Sequence, residues 1–152
     1  MSGTYFDDLD VGETDTFGSY EVTKEEIISF AEQYDPQSFH VDEEAAAESL
    51  FGELVASGWH STAICMRILV DNVLGDGGSL GSPSVERLEW AAPVRPGETL
   101  SVRTEVLEKR PLKSDPNRGL VTFYIEMENE AGETKLSMEP KVFFRRRDAG
   151  DV

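Results

Sequence analysis

The sequence predicts an α+β chain, a curved antiparallel sheet wrapped around one long apolar helix. Three observations carry this. The helical patterns fall in the first half of the 152 residues, residues 57–74 form the most apolar segment, and after residue 84 hydrophobicity alternates residue by residue. Helices place a face every 3.6 residues and strands every two, so the switch marks a change of element type. A sheet that is apolar on one face needs a covering layer, and the helix at 57–74 supplies it.

Taken in order, "ETDTFGSY" reads as a strand near the N-terminus. "VTKEEIISFAEQY" opens a helix with Thr23 as cap and Glu26 as its reciprocal partner, a capping box. Ile27, Phe30, Ala31 and Tyr34 form its expected buried face, and Pro36 stops it by biasing Asp35 away from helical dihedrals. "VDEEAAAESLF" predicts a second helix capped by Asp42 and ended by Gly52, with acids in its first turn where the dipole favours them. "SGWHSTAICMRILVDNVL" is apolar nearly all round, which predicts a largely buried helix, and "GDGGSLGSP" predicts a flexible loop. "VERLEW" is expected to be a strand. Leu100, Val102, Thr104 and Val106 mark another, as do Val121, Phe123, Ile125 and Met127, then Leu136, Met138, Val142 and Phe144. "RPGE" and "NEAGE" supply turns, and Pro140 suggests an edge strand or a bulge.

The length fits one domain over 1–152, and the 39% apolar content is globular. A net charge of −16 argues against nucleic acid and against an anionic membrane surface, both of which call for Lys and Arg. Such self-repulsion is relieved by salt, so either a salt-rich cytoplasm or simply an acidic soluble protein fits. The single cysteine, Cys65, allows no internal disulfide and is expected to pack in the core. No signal peptide or membrane-length apolar run is visible, so the expected location is cytoplasmic.

"YDPQSFH" places Asp35 before a forced bend and His40 five residues later. Taken alone, Asp35 fits a turn-initiating acid, His40 a solvated histidine, and Gly58 ordinary punctuation at a helix start. His60 reads as a packing or interface residue. One histidine and two hard acids at 35–42 are a poor metal set, so no metal is expected.

The element order, with "FAEQYDPQSFHVDEEAA" and "LFGELVASGWHSTA", resembles the MaoC-like dehydratases of the (R)-specific enoyl-CoA hydratase type. The resemblance implies a hotdog fold. The family motif is Asp-x-Asn-Pro-x-His, and Asp35 and His40 stand at its two ends. The interval from His40 to Gly58 also matches the family's interval from histidine to glycine. By resemblance, Asp35 and His40 form the catalytic pair and the Gly58 N–H binds the thioester oxygen. Ser57, where the family has histidine, caps the central helix beside that oxygen site. Trp59, Ile64 and Met66 are expected to wall an acyl pocket. Gln37-Ser38 replaces the Asn-Pro of the motif, and a proline has moved to Pro36.

The chemistry suits these residue types. Imidazole titrates near neutrality and can deprotonate water, while a helix start carries free N–H groups for an oxyanion. The implied substrate is an acyl-CoA thioester, with coenzyme A part of the substrate and no separate cofactor; the implied assembly is a homodimer sharing its sites. Arg145–Arg147 are candidates for the coenzyme A phosphates. A thioesterase on the same fold is the first rival, although residues 57–70 hold no acid; a non-catalytic acyl-binding subunit is the second.

Overall fold

The structure, a computed structural model, describes residues 4–75 and 77–147. Its elements are β1 (Thr14–Glu21), α1 (Lys24–Tyr34), α2 (Ser38–Val41), α3 (Glu43–Ala47), α4 (Gly58–Leu69), β2 (Ser79–Glu89), β3 (Thr99–Pro111), β4 (Arg118–Asn129) and β5 (Thr134–Arg145). A 3-10 turn, Phe6–Asp8, precedes β1, and a π-helical stretch, Val70–Leu74, extends α4. The strands form one sheet in the order β1-β3-β4-β5-β2, antiparallel throughout. This is the hotdog fold, α+β, with α4 as the central helix.

The alternating residues of the last three strands do what their period requires. Leu100, Val102, Val106, Val121, Phe123, Ile125, Met127, Leu136, Met138, Val142 and Phe144 are buried in one core with Ile64, Cys65, Ile68 and Leu69 of α4. Each such side chain, fully buried, contributes about 1.5–3 kcal/mol. At Gly18, φ is 90° and a Cβ would lie 2.5 Å from Ile68 Cγ2, so β1 bends at a bulge and touches α4 there.

Several local expectations need correction. Tyr34 is 70% exposed, because α1 ends at it and the chain turns away; Ile27 and Ala31 carry the buried face. α4 and its π-helical extension are buried along one face only: Trp59, Met66 and Val70 are exposed at 58%, 43% and 39%. The helix capped by Asp42 closes at Ala47, well short of Gly52. "GDGGSLGSP" is not all loop, since Ser79 already pairs with Phe144 of β5; glycine and serine hide a strand whose ladder comes from its neighbour. Pro140 does not mark an edge. β5 lies inside the sheet, and its pairing to β4 lapses between Thr122↔Lys141 and Ile125↔Met138, opposite a residue with no N–H to give.

Candidate active site

The site is built where α1 stops. The capping box forms: Thr23 Oγ1 accepts from the Glu26 N–H at 3.2 Å and Glu26 Oε1 accepts from the Thr23 N–H at 3.1 Å. Asp35 is the C-cap, its N–H donating to Ala31 O at 2.8 Å, and its φ of −155° and ψ of 66° lie outside the helical region that the following proline disfavours. The chain does not then run as a loop. Residues 38–41 make one helical turn, α2, with the His40 N–H donating to Gln37 O at 2.9 Å and the Asp42 N–H to Ser38 O at 3.0 Å. Asp42 then caps α3 through the Glu44 N–H at 2.9 Å.

This turn buries His40 to 6% exposure, with the Phe39 ring edge-on at 4.5 Å. Its Nδ1 lies 2.6 Å from Val55 O. A carbonyl can only accept, so the proton sits on Nδ1, and in the neutral ring Nε2 carries the lone pair. That Nε2 faces Asp35 Oδ2 at 3.5 Å, too long for a strong direct hydrogen bond. Asp35 also accepts from Gln37 Nε2 at 2.7 Å and from Ser57 Oγ at 2.7 Å. Burial pushes the Asp35 carboxyl up, but the two donors and the nearby His40 outweigh it and hold the group below the usual carboxylate range.

Ser57 is fully buried, and its hydroxyl serves two partners: it donates to Asp35 and accepts from the Trp59 N–H at 3.2 Å. It is therefore both the N-cap of α4 and a support for the carboxylate. Gln37, which stands in the motif's place for Asn, is the second support. A more detailed sequence signal for it exists only in hindsight, as a donor two residues from the acid.

Gly58 begins α4, where its N–H has no acceptor among the described residues. A Cβ there would lie 2.6 Å from Trp90 Cε2, so the indole rests directly on the glycine. Trp90 Nε1 donates to Gly58 O at 2.8 Å and lies 3.2 Å from Thr62 Oγ1. Sequence patterning gave Trp90 only as a strand residue. His40, Gly58, Ser61, Phe51, Trp90 and the segment 91–94 line a cavity of about 320 Å³. Asp35 is not among the lining residues; its partner His40 is.

A second cavity, also about 320 Å³, is apolar and lies between the end of α4 and the sheet, with Thr62, Met66, Leu69, Val70, Phe123 and Met138 among its walls. Thr62, bonded to Gly58 O at 2.9 Å, joins the two regions. Of the residues expected to wall an acyl pocket, Met66 lines this apolar cavity. Ile64 instead packs in the core, and Trp59 lines neither cavity, standing edge-on to Trp90 at 5.1 Å. His60 is a packing residue, stacked on Phe30 at 4.7 Å with Nε2 3.3 Å from Glu26 Oε2.

Arg145 is the last residue of β5, and none of Arg145–Arg147 lines either cavity. Arg146 lies over the Phe6 ring and Arg147 pairs with Asp8 at 2.6 Å. Among the described residues, no three of His, Cys, Asp and Glu gather as a metal-ligand set, and no helix is long and apolar enough to cross a membrane.

Residues 10–126 match the MaoC like domain family. The chain superposes on a crystal structure of a MaoC-like dehydratase from Rhodospirillum rubrum with a TM-score of 0.88 and 43% identity, covering 95% of this chain and 99% of that one. It is 32% identical over 108 residues to a 3-hydroxybutyryl-CoA dehydratase from Methylorubrum extorquens, which is 70% of this chain and 66% of that protein. The R-hydratase PhaJ1 of Pseudomonas aeruginosa matches with a TM-score of 0.72 and 25% identity, covering 95% of this chain and 88% of that one.

Proposed function

The chain belongs to the MaoC-like domain family of hydratases and dehydratases, and from that premise we propose that it adds water reversibly to a trans-2-enoyl-CoA, giving an (R)-3-hydroxyacyl-CoA. One observation carries the proposal: the Nε2 lone pair of His40 and the Asp35 carboxylate face each other across 3.5 Å, beside a cavity that Gly58 also lines. His40 is the base and Asp35 orients the water.

The water oxygen bonds to the β-carbon as Nε2 takes its proton, and the π-electrons move onto the thioester oxygen. The Gly58 N–H holds that oxyanion, aided by the positive end of α4. The imidazolium then returns a proton to the α-carbon, closing the balance. Asp35, kept ionised by Ser57 and Gln37, stabilises the imidazolium in between. Coenzyme A enters as part of the substrate, and these steps call on no other cofactor.

The apolar cavity beyond Thr62 is a fitting place for the acyl chain. We propose a homodimer as the working form. β2 ends the sheet with one side unpartnered among the described residues, and Leu80, Val85, Met66 and Val70 expose apolar surface on β2 and the central helix.

The test follows the absorbance of a conjugated enoyl-CoA with wild type, Asp35→Asn and His40→Ala. Wild type should consume the chromophore and each variant should lose about 10²–10⁴ in rate. Release of free thiol by the wild type with no hydration product would replace the hydratase with a thioesterase.

A further inference from the structure

Lys135, the second residue of β5, is a charged side chain with no exposed surface. Its Nζ lies 2.6 Å from Glu133 Oε1 and 3.0 Å from Glu98 Oε2, and donates to Pro93 O at 2.9 Å. Glu98 is itself fully engaged, accepting from the Arg95 N–H at 2.7 Å and from Asn129 Nδ2 at 2.7 Å. Burying an ammonium is costly, and an apolar side chain often serves stability as well as an internal ion pair does. What this cluster fixes is geometry.

Lys135 grips the segment 91–93 twice. Its side chain holds the Pro93 carbonyl, and its own carbonyl accepts the N–H groups of Ala91 at 3.0 Å and Ala92 at 3.4 Å. Those residues, with Val94, wall the His40 cavity. Val94 O accepts the Ala56 N–H at 2.9 Å, and the adjoining Val55 O is the acceptor for His40 Nδ1. We infer that Lys135 is a positioning residue for His40. Through Pro93–Val94 and Val55–Ala56 it sets the carbonyl that fixes the imidazole's tautomer and aim. No part of Lys135 touches the reacting atoms. Its catalytic consequence rests on the proposed role of His40, but its effect on the ring is separate from that role.

The experiment compares Lys135→Met and Lys135→Arg with wild type, using the full chain in its native assembly, with circular dichroism and thermal melts to establish folding. Two histidines make imidazole nitrogen NMR simple to read. In wild type the proton on His40 Nδ1 should be protected from exchange. In Lys135→Met that signal should shift or vanish while His60, held by Glu26 and Phe30, keeps its own. The kcat should fall about 10- to 100-fold with KM unchanged, as for a catalytic group displaced by an ångström or less. Lys135→Arg, which retains donors, should recover part of both. If Lys135→Met does not fold, Glu98→Gln, which loosens the clamp without leaving a buried orphan ammonium, takes the same measurements. A folded variant with an unaltered His40 signal and unaltered kcat overturns the inference. A changed His40 signal in a protein with no hydratase turnover keeps Lys135's role and removes the proposed activity instead.

Discussion

Substituting Gly58 by alanine tests how the start of α4 and Trp90 fit together. The added Cβ would sit 2.6, 2.8 and 2.9 Å from three atoms of the indole, Cε2, Cδ2 and Nε1. Ordinary carbon contacts are ~3.5–4.0 Å, so the ring body must retreat by about 1 Å. That movement stretches the 2.8 Å bond from Trp90 Nε1 to Gly58 O past useful range. Overpacking costs about 1–3 kcal/mol and the lost hydrogen bond about 1, while replacing a helical glycine by alanine returns about 1. The net expectation is a loss of about 1–3 kcal/mol, or ~2–4 °C of melting temperature per kcal/mol in a chain of this size. In a Trp90→Ala background the collision is gone and Gly58→Ala should stabilise by up to about 1 kcal/mol. Thermal and urea melts of the four proteins close a double-mutant cycle with a coupling of about 2 kcal/mol or more. Additivity within ~0.5 kcal/mol would mean that the indole does not rest on the glycine, and this account of the cavity wall would fail.

Two further expectations are independent of the site chemistry. Burial pushes His60 below the ordinary histidine value, although Glu26 pulls it up, so the folded state resists protonation more than the unfolded chain does. Stability from this source is complete above about pH 6.5 and declines as pH falls below it, and His60→Phe, which can still stack on Phe30, should flatten the melting temperature between about pH 6.5 and 5. With a net charge of −16, the melting temperature should rise from about 0.01 M to about 1 M KCl as the screening length drops from about 30 to about 3 Å; a salt-independent melt would exclude charge repulsion as a brake on stability.

The parts legible in the sequence are those fixed by local spacing. Thr23 and Glu26 announce the start of α1, Pro36 its end, and the period-two residues of β3 to β5 the inner face of the sheet. Asp35, His40 and Ser57 do come together, and Gly58 lines the same cavity as His40. What escaped was set by distant partners. α2 has four residues and no side-chain cap, so nothing local marks it. Strand β2 starts among glycines and serines and owes its pairing to β5. Lys135 looks like any strand lysine until Glu98 and Pro93 are folded against it. The direction of Trp59 and the placement of Arg145–Arg147 outside both cavity linings depend on chain reversals that composition does not record.

That His40 rides on a helical turn has a consequence for how this stretch can vary. Each residue of an α-helix rotates the chain by about 100° and advances it ~1.5 Å. Inserting or deleting one residue between Asp35 and His40 would swing the imidazole away from both Val55 O and the carboxylate. Exchanging the residues at 36 and 38 leaves the count intact. In a mutational library, length changes here should be purged while substitutions at 36 and 38 survive: the segment behaves like a reading frame, tolerant of spelling and intolerant of shifts.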